Sequence, residues 1–225
     1  MGAAFHSPER LSAGGMEPDR ATQRLVAFWP LGLGALVLML LWLGPLPAMS
    51  RRAFSAHMTL HLGVAVVAAP MVAIGLNRAR FGLAGAQPSL LTAFVVSAFE
   101  MMVVWGWHAP ALHEAAALDD AGFVAQQLSF LAAGVGIWMV SFAGGSRAAF
   151  GIGMFAMLLT FMHMTMLGVL LALAPDLLYA PELCLGAFGL DRLDDQRLGG
   201  ALMAVGGGLP YLIGGIVLAY RFIAD

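Results

Sequence analysis

Six apolar runs, each close to the ~20 residues that a helix needs to cross a bilayer, account for most of this chain. They fall at 26–46, 56–76, 89–107, 122–142, 149–174 and 198–222, and none shows the alternation of a strand. Inside hydrocarbon only helices and closed barrels satisfy every backbone N–H and C=O, so runs of this kind predict helices. Breakers separate them: Gly44-Pro45-Leu46-Pro47, Asn77 to Pro88, Ala109-Pro110, Gly144-Gly145 and the long segment from Pro175 to Arg197. With 60% hydrophobic and 11% charged residues, the chain lies far from a soluble domain, which is about a quarter charged. The expected fold is all-α: a polytopic membrane helix bundle of six transmembrane helices over residues 25–225. Residues 1–24 read as a disordered polar tail that lacks the apolar core and cleavage site of a signal peptide. A net charge of −2 provides no basic field for nucleic acid.

Arginines orient the bundle, because basic residues accumulate on the cytoplasmic side. With six spans, Arg10, Arg20, Arg24, Arg78, Arg80, Arg147 and Arg221 share the side of both termini. Arg51, Arg52, Arg192 and Arg197 lie on the other side among eight acidic residues. Seven against four predicts that both termini are cytoplasmic. Cys184, the lone cysteine, then faces outside, where an impermeant thiol reagent is expected to reach it.

Histidines inside membrane-length segments are costly and point to function. In the second span, His57-Met58-Thr59-Leu60-His61 places two imidazoles four residues apart, hence on one helix face, with Met58 beside them. The spacing is that of HExxH zinc proteases, but Met58 stands where their general-base glutamate would be. Two imidazoles and a thioether suit copper(I) rather than calcium or magnesium. The fifth span carries Met162-His163-Met164-Thr165-Met166, in which His163 and Met166 share a side. One ion bound by His57, His61 and His163 would require the second and fifth spans to touch, with His61 and His163 closer to each other than to His108. Glu100, the only acid within a span, is a candidate for orienting a ligating imidazole. His108 and His113 fall at the outer interface, where either is a weaker candidate for a transient metal contact. Asp195 and Gln196 are oxygen donors ill-matched to copper(I), which leaves them partner contact or helix capping.

Four stretches in order, HMTLHLGVAVVAAPMVAIG, WHAPALHEAAAL, LLTFMHMTMLGVLLALAPDLLY and DRLDDQRLGGALM, resemble the CtaG-type cytochrome c oxidase assembly factors. The resemblance covers residues 50–222. It implies an integral membrane protein, not an enzyme, needed to make active haem–copper oxidase at a copper-handling step. His57 and His61 match the family's second-span histidines, His108 its tryptophan–histidine–proline motif, and Asp195 and Gln196 its aspartate–glutamine motif. One departure is Gln126-Gln127 before Ser129-Phe130, where relatives often carry glutamate–histidine.

The expectation is therefore an assembly factor of a bacterial-type inner (plasma) membrane that binds or hands over copper(I) at the periplasmic face. Its metal set is His57, His61, His163, Met58, Met166 and His108. Its partners would be oxidase subunits and a soluble periplasmic copper carrier. One alternative is a haem-binding membrane electron-transfer protein, with His61 and His163 as axial ligands on facing helices. Another is a copper permease, which needs a polar path where the cytoplasmic half offers only Thr92, Ser97 and Thr160.

Overall fold

The computed structural model describes residues 20–79 and 87–224, with side chains from Phe28 onward. The helices are α1 (Arg20–Leu43), α2 (Leu46–Ser50), α3 (Phe54–Arg78), α4 (Leu90–His108), α5 (Pro110–Leu118), α6 (Asp120–Ser141), α7 (Arg147–Ala172) and α8 (Arg192–Ala224), with no strand among the described residues. Five of them, α3, α4, α6, α7 and α8, are long and apolar enough to cross a membrane. In α1 the described apolar stretch, Phe28–Leu43, is shorter. Residues 20–24 belong to α1, so helix begins inside the segment expected as tail, and residues 1–19 lie outside the described residues.

Two of the spans contain a widened, π-type turn: Gly63–Ala68 in α3 and Met203–Gly207 in α8. Each lies shortly before a proline, Pro70 or Pro210. A proline ring clashes with the carbonyl four residues back in a regular α-helix, and a wider turn relieves that clash. The first of these turns is also tied to its neighbour, since Trp138 Nε1 of α6 donates to the Ala65 carbonyl at 3.0 Å.

α3 packs on α1, α6 and α8, whereas α7 packs on α4, α6 and α8. The second and fifth spans therefore do not lie side by side, contrary to the expectation of a site shared between them. Instead α8 packs against both of them, and glycines on α7 and α8 set the distances. A Cβ at Gly200 would sit 2.3 Å from the Ala172 nitrogen, and one at Gly168 would sit 2.3 Å from the Ala204 nitrogen. Close backbone contact through small residues drives helix association in lipid. On its other side α8 offers Gly199 to Phe54 and Met58. The Met58 side chain thus lies against α8 in the core, fully buried.

Candidate functional site

α3 has no cap of its own, because Ala53 at its N-cap carries no polar side chain. Asp195 from the first turn of α8 supplies one. Its carboxylate accepts from the backbone N–H of Phe54 at 2.7 Å and of Ser55 at 3.4 Å, and from the Ser55 hydroxyl. α8 meanwhile is capped by Asp191, which accepts from the Asp194 N–H at 2.9 Å. A buried acid on one span thus holds the first turn of another, just ahead of His57 and His61.

The α3 histidines are joined by His108, at the last turn of α4, and by His113 of α5. Ring centres lie 4.7 Å apart for His57–His113, 5.4 Å for His57–His108, 5.5 Å for His61–His108 and 6.5 Å for His57–His61. All four side chains are buried. Pro110 explains why His113 belongs here. The chain is extended at Ala109 and restarts as a helix at Pro110, which brings α5 back over the end of α4 instead of onward into water. Sequence reasoning placed His113 at the interface and left it out of the ligand set; the proline between the two histidines was the available signal.

Few of these imidazole nitrogens have a partner. His108 Nδ1 meets the Val104 carbonyl at 2.6 Å, which leaves Nε2 bare. His57 Nε2, both nitrogens of His61 and His113 Nδ1 are likewise buried without a hydrogen bond. Burial above all, with His108 nearby, pushes His113 down to about 3, so it stays neutral and keeps a lone pair.

Aromatic rings enclose the cluster. Phe130 of α6 lies 4.0 Å from the His61 ring, and Tyr179 lies 4.4 Å from His113 and 4.8 Å from Phe54. Tyr179 belongs to the segment 173–191, which folds over this end of the bundle. The Tyr179 hydroxyl donates to the His108 carbonyl at 3.0 Å, and Glu114 accepts from the Ala180 N–H at 2.9 Å. Gln196 pins the same segment, accepting from the Leu178 N–H at 2.8 Å and donating to the Asp176 carbonyl at 3.4 Å. The aspartate–glutamine pair is therefore committed to backbone partners and the Ser55 hydroxyl. Cys184 sits under this cover at 1% exposure, which overturns the expected accessibility of its thiol. Burial first, then Asp195 and Glu114, pushes that thiol up to about 12, so it is shielded and poorly nucleophilic.

His163 stands apart. Its Nε2 lies 3.2 Å from Glu100, which also accepts from Thr160 at 2.7 Å and from Tyr211 at 3.4 Å. His61 is in ring contact with His57, His108 and Phe130 but not with His163, so the expected order of distances is reversed. Met166 is 52% exposed on the outer surface of α7 and faces away from the four-histidine cluster. Of the three polar residues weighed for a permease path, Thr160 binds Glu100 and Thr92 pairs with Ser89 at the start of α4, while the buried Ser97 hydroxyl has no partner.

Residues 9–225 match the family model Cytochrome c oxidase caa3 assembly factor (Caa3_CtaG). The chain belongs to this family. No curated protein and no solved structure matches it. The function of the family is cytochrome c oxidase assembly, and its partners are accordingly oxidase-related. In this Caa3_CtaG chain, the motif residues His57, His61 and His108 converge at one end of the bundle, and Asp195 and Gln196 brace that end from behind. Gln126 and Gln127 are both buried on the α6 face that also carries Phe130, with the Gln127 Oε1 unpartnered.

Proposed function

We propose that this assembly factor is a non-enzymatic carrier that holds copper(I) on His57, His61, His108 and His113 and hands it to a nascent oxidase subunit. The observation that carries the reading is the set of bare, buried imidazole nitrogens on four rings. Leaving a buried polar atom unpaired costs about 1–3 kcal/mol, and four rings side by side repeat that cost unless a ligand is gathered there. Metal–nitrogen bonds of about 2.0–2.1 Å place two rings on one ion with their centres about 5–6 Å apart, the spacing of His57–His108 at 5.4 Å and His61–His108 at 5.5 Å. As they stand, no three His, Cys, Asp or Glu side chains among the described residues converge on one point. Ring rotation, with the helices fixed, is then the step that closes the site. Neutral imidazoles suit copper(I), and the buried Met58 side chain of α3 packs against Gly199 of α8, outside the set.

The location we infer is a bacterial-type plasma membrane, with the histidine end in the periplasm and both termini in the cytoplasm. A soluble copper carrier would load the site from that side, and release requires Tyr179 and its segment to lift. Titrating the reduced, detergent-solubilised protein with copper(I) against a chromogenic chelator tests the reading. The expected result is a nitrogen-rich site lost in a His57→Leu/His113→Leu variant, together with oxidase maturation in cells. Undiminished binding and maturation in that variant would remove the proposal.

Orientation has its own test, and the buried native cysteine cannot serve in it. In a Cys184→Ala background, the exposed positions Glu182 and Gly145 lie at opposite ends of the bundle. An impermeant maleimide applied to intact spheroplasts should label Glu182→Cys and spare Gly145→Cys. The reverse pattern would put the histidine end in the cytoplasm.

A further inference from the structure

The Glu100–His163 pair takes no part in the four-histidine cluster, yet it has the arrangement of a ligating histidine with its support. Glu100 is 1% exposed and accepts hydrogen bonds from Thr160, Tyr211 and His163. Glu100 already accepts from Thr160 and Tyr211, and with its carboxylate ionised the His163 nitrogen facing it is the one that carries hydrogen. The other nitrogen, Nδ1, is then a lone-pair donor, and it is buried with no partner. Metal-ligating histidines typically give their second N–H to a carboxylate in this way, which fixes the ring and raises its basicity.

What lies in front of His163 is equally specific. It lines a groove of about 310 Å³ between α4 and α7, together with Met101, Met162 and Met166. These three methionines are 42%, 58% and 52% exposed, unlike the core fillers Met157, Met164 and Met203, which are fully buried. Thioethers are soft donors that select copper(I) over zinc, calcium or magnesium. Glu100 precedes His108 by eight residues on α4, so the groove lies about 12 Å deeper in the bundle than the end of that helix.

We propose that this groove is a second copper(I) site, formed by His163 Nδ1 and the thioethers of Met101, Met162 and Met166, with Glu100 as its positioning residue. Copper(I) is satisfied by two to four such donors, so one imidazole and two or three sulfurs complete it. The site stands on its own observations and does not depend on the histidine cluster.

The test uses the full chain in detergent under reducing conditions, with copper(I) alone as the probe. Equilibrium titration should give two equivalents, and X-ray absorption at the copper edge should show both nitrogen and sulfur shells. In the triple variant Met101→Leu/Met162→Leu/Met166→Leu the sulfur shell and one equivalent should disappear while the nitrogen shell stays. Glu100→Gln should weaken the sulfur-bound equivalent about 10–100-fold and leave the nitrogen-bound one unchanged. A His57→Leu/His61→Leu variant should lose the nitrogen-rich equivalent and keep the sulfur-bound one. A single equivalent in the wild type, or a sulfur shell that survives the triple substitution, would overturn the second site. Loss of both equivalents from the folded His57→Leu/His61→Leu protein would show one site, not two.

Discussion

His61→Leu should leave the metal-free protein as stable as the wild type or more so, while weakening copper(I) binding at least tenfold. His61 is fully buried with both ring nitrogens bare, and it packs on Phe130 at 4.0 Å between ring centres. A buried polar group without a partner costs about 1–3 kcal/mol, and leucine removes that cost while keeping apolar contact with Phe130. For a chain of this size each kcal/mol corresponds to roughly 2–4 °C in the melting temperature. Thermal unfolding of the metal-free variant in detergent should therefore show an equal or higher midpoint. Metal-loaded protein should show the opposite order, because a ligand that binds only the folded state adds stability in proportion to its affinity. A packed structural histidine predicts a drop in the metal-free midpoint and no change in copper affinity. The two roles thus give opposite signs in two measurements on one variant.

Span length made most of the bundle readable from sequence. Apolar runs of bilayer length identify helices whatever their neighbours do: α3, α4, α6 and α7 begin and end within two residues of the expected limits, while α8 begins six residues early, at Arg192. Which helix touches which was harder, because every run is apolar on all sides and the pattern carries no seam. His163 shows the consequence. Its place on a helix was readable, but the choice of Glu100 over His61 depends on glycines at Gly168 and Gly200 that draw α7 against α8. His113 was lost for another reason. Past the Ala109-Pro110 break it was placed at the outer interface, and the short helix restarted by Pro110 folds it back under Tyr179. The function of Asp195 could be read only in part. An acid at a helix start suggests capping of its own helix, and the structure gives that task to Asp191 and sends Asp195 across to α3.

That crossing makes Asp195→Ala the substitution expected to cost the most stability at this end of the bundle. Asp195 is fully buried, and its carboxylate serves the N–H groups of Phe54 and Ser55 and the Ser55 hydroxyl. Alanine would leave those three donors buried without an acceptor, on a helix whose own N-cap residue, Ala53, cannot replace the lost bonds. Loss of a capping side chain typically costs about 0.5–2 kcal/mol, and stranded buried donors raise the expected loss to about 2–4 kcal/mol. The damage should be local first. The first turn of α3 would fray, and His57, three residues beyond Phe54, would lose its fixed position opposite His108 and His113. Hydrogen exchange should show faster opening of residues 54–58 in Asp195→Ala than in the wild type, with the middle of α7 unchanged. Asp195→Asn retains an acceptor for the backbone N–H groups and should fall between the two. Copper(I) affinity of the four-histidine cluster should follow the same order, since Asp195 acts on it only through the start of α3. Equal protection of residues 54–58 in all three proteins, with copper binding lost in Asp195→Ala alone, would instead make Asp195 a direct ligand.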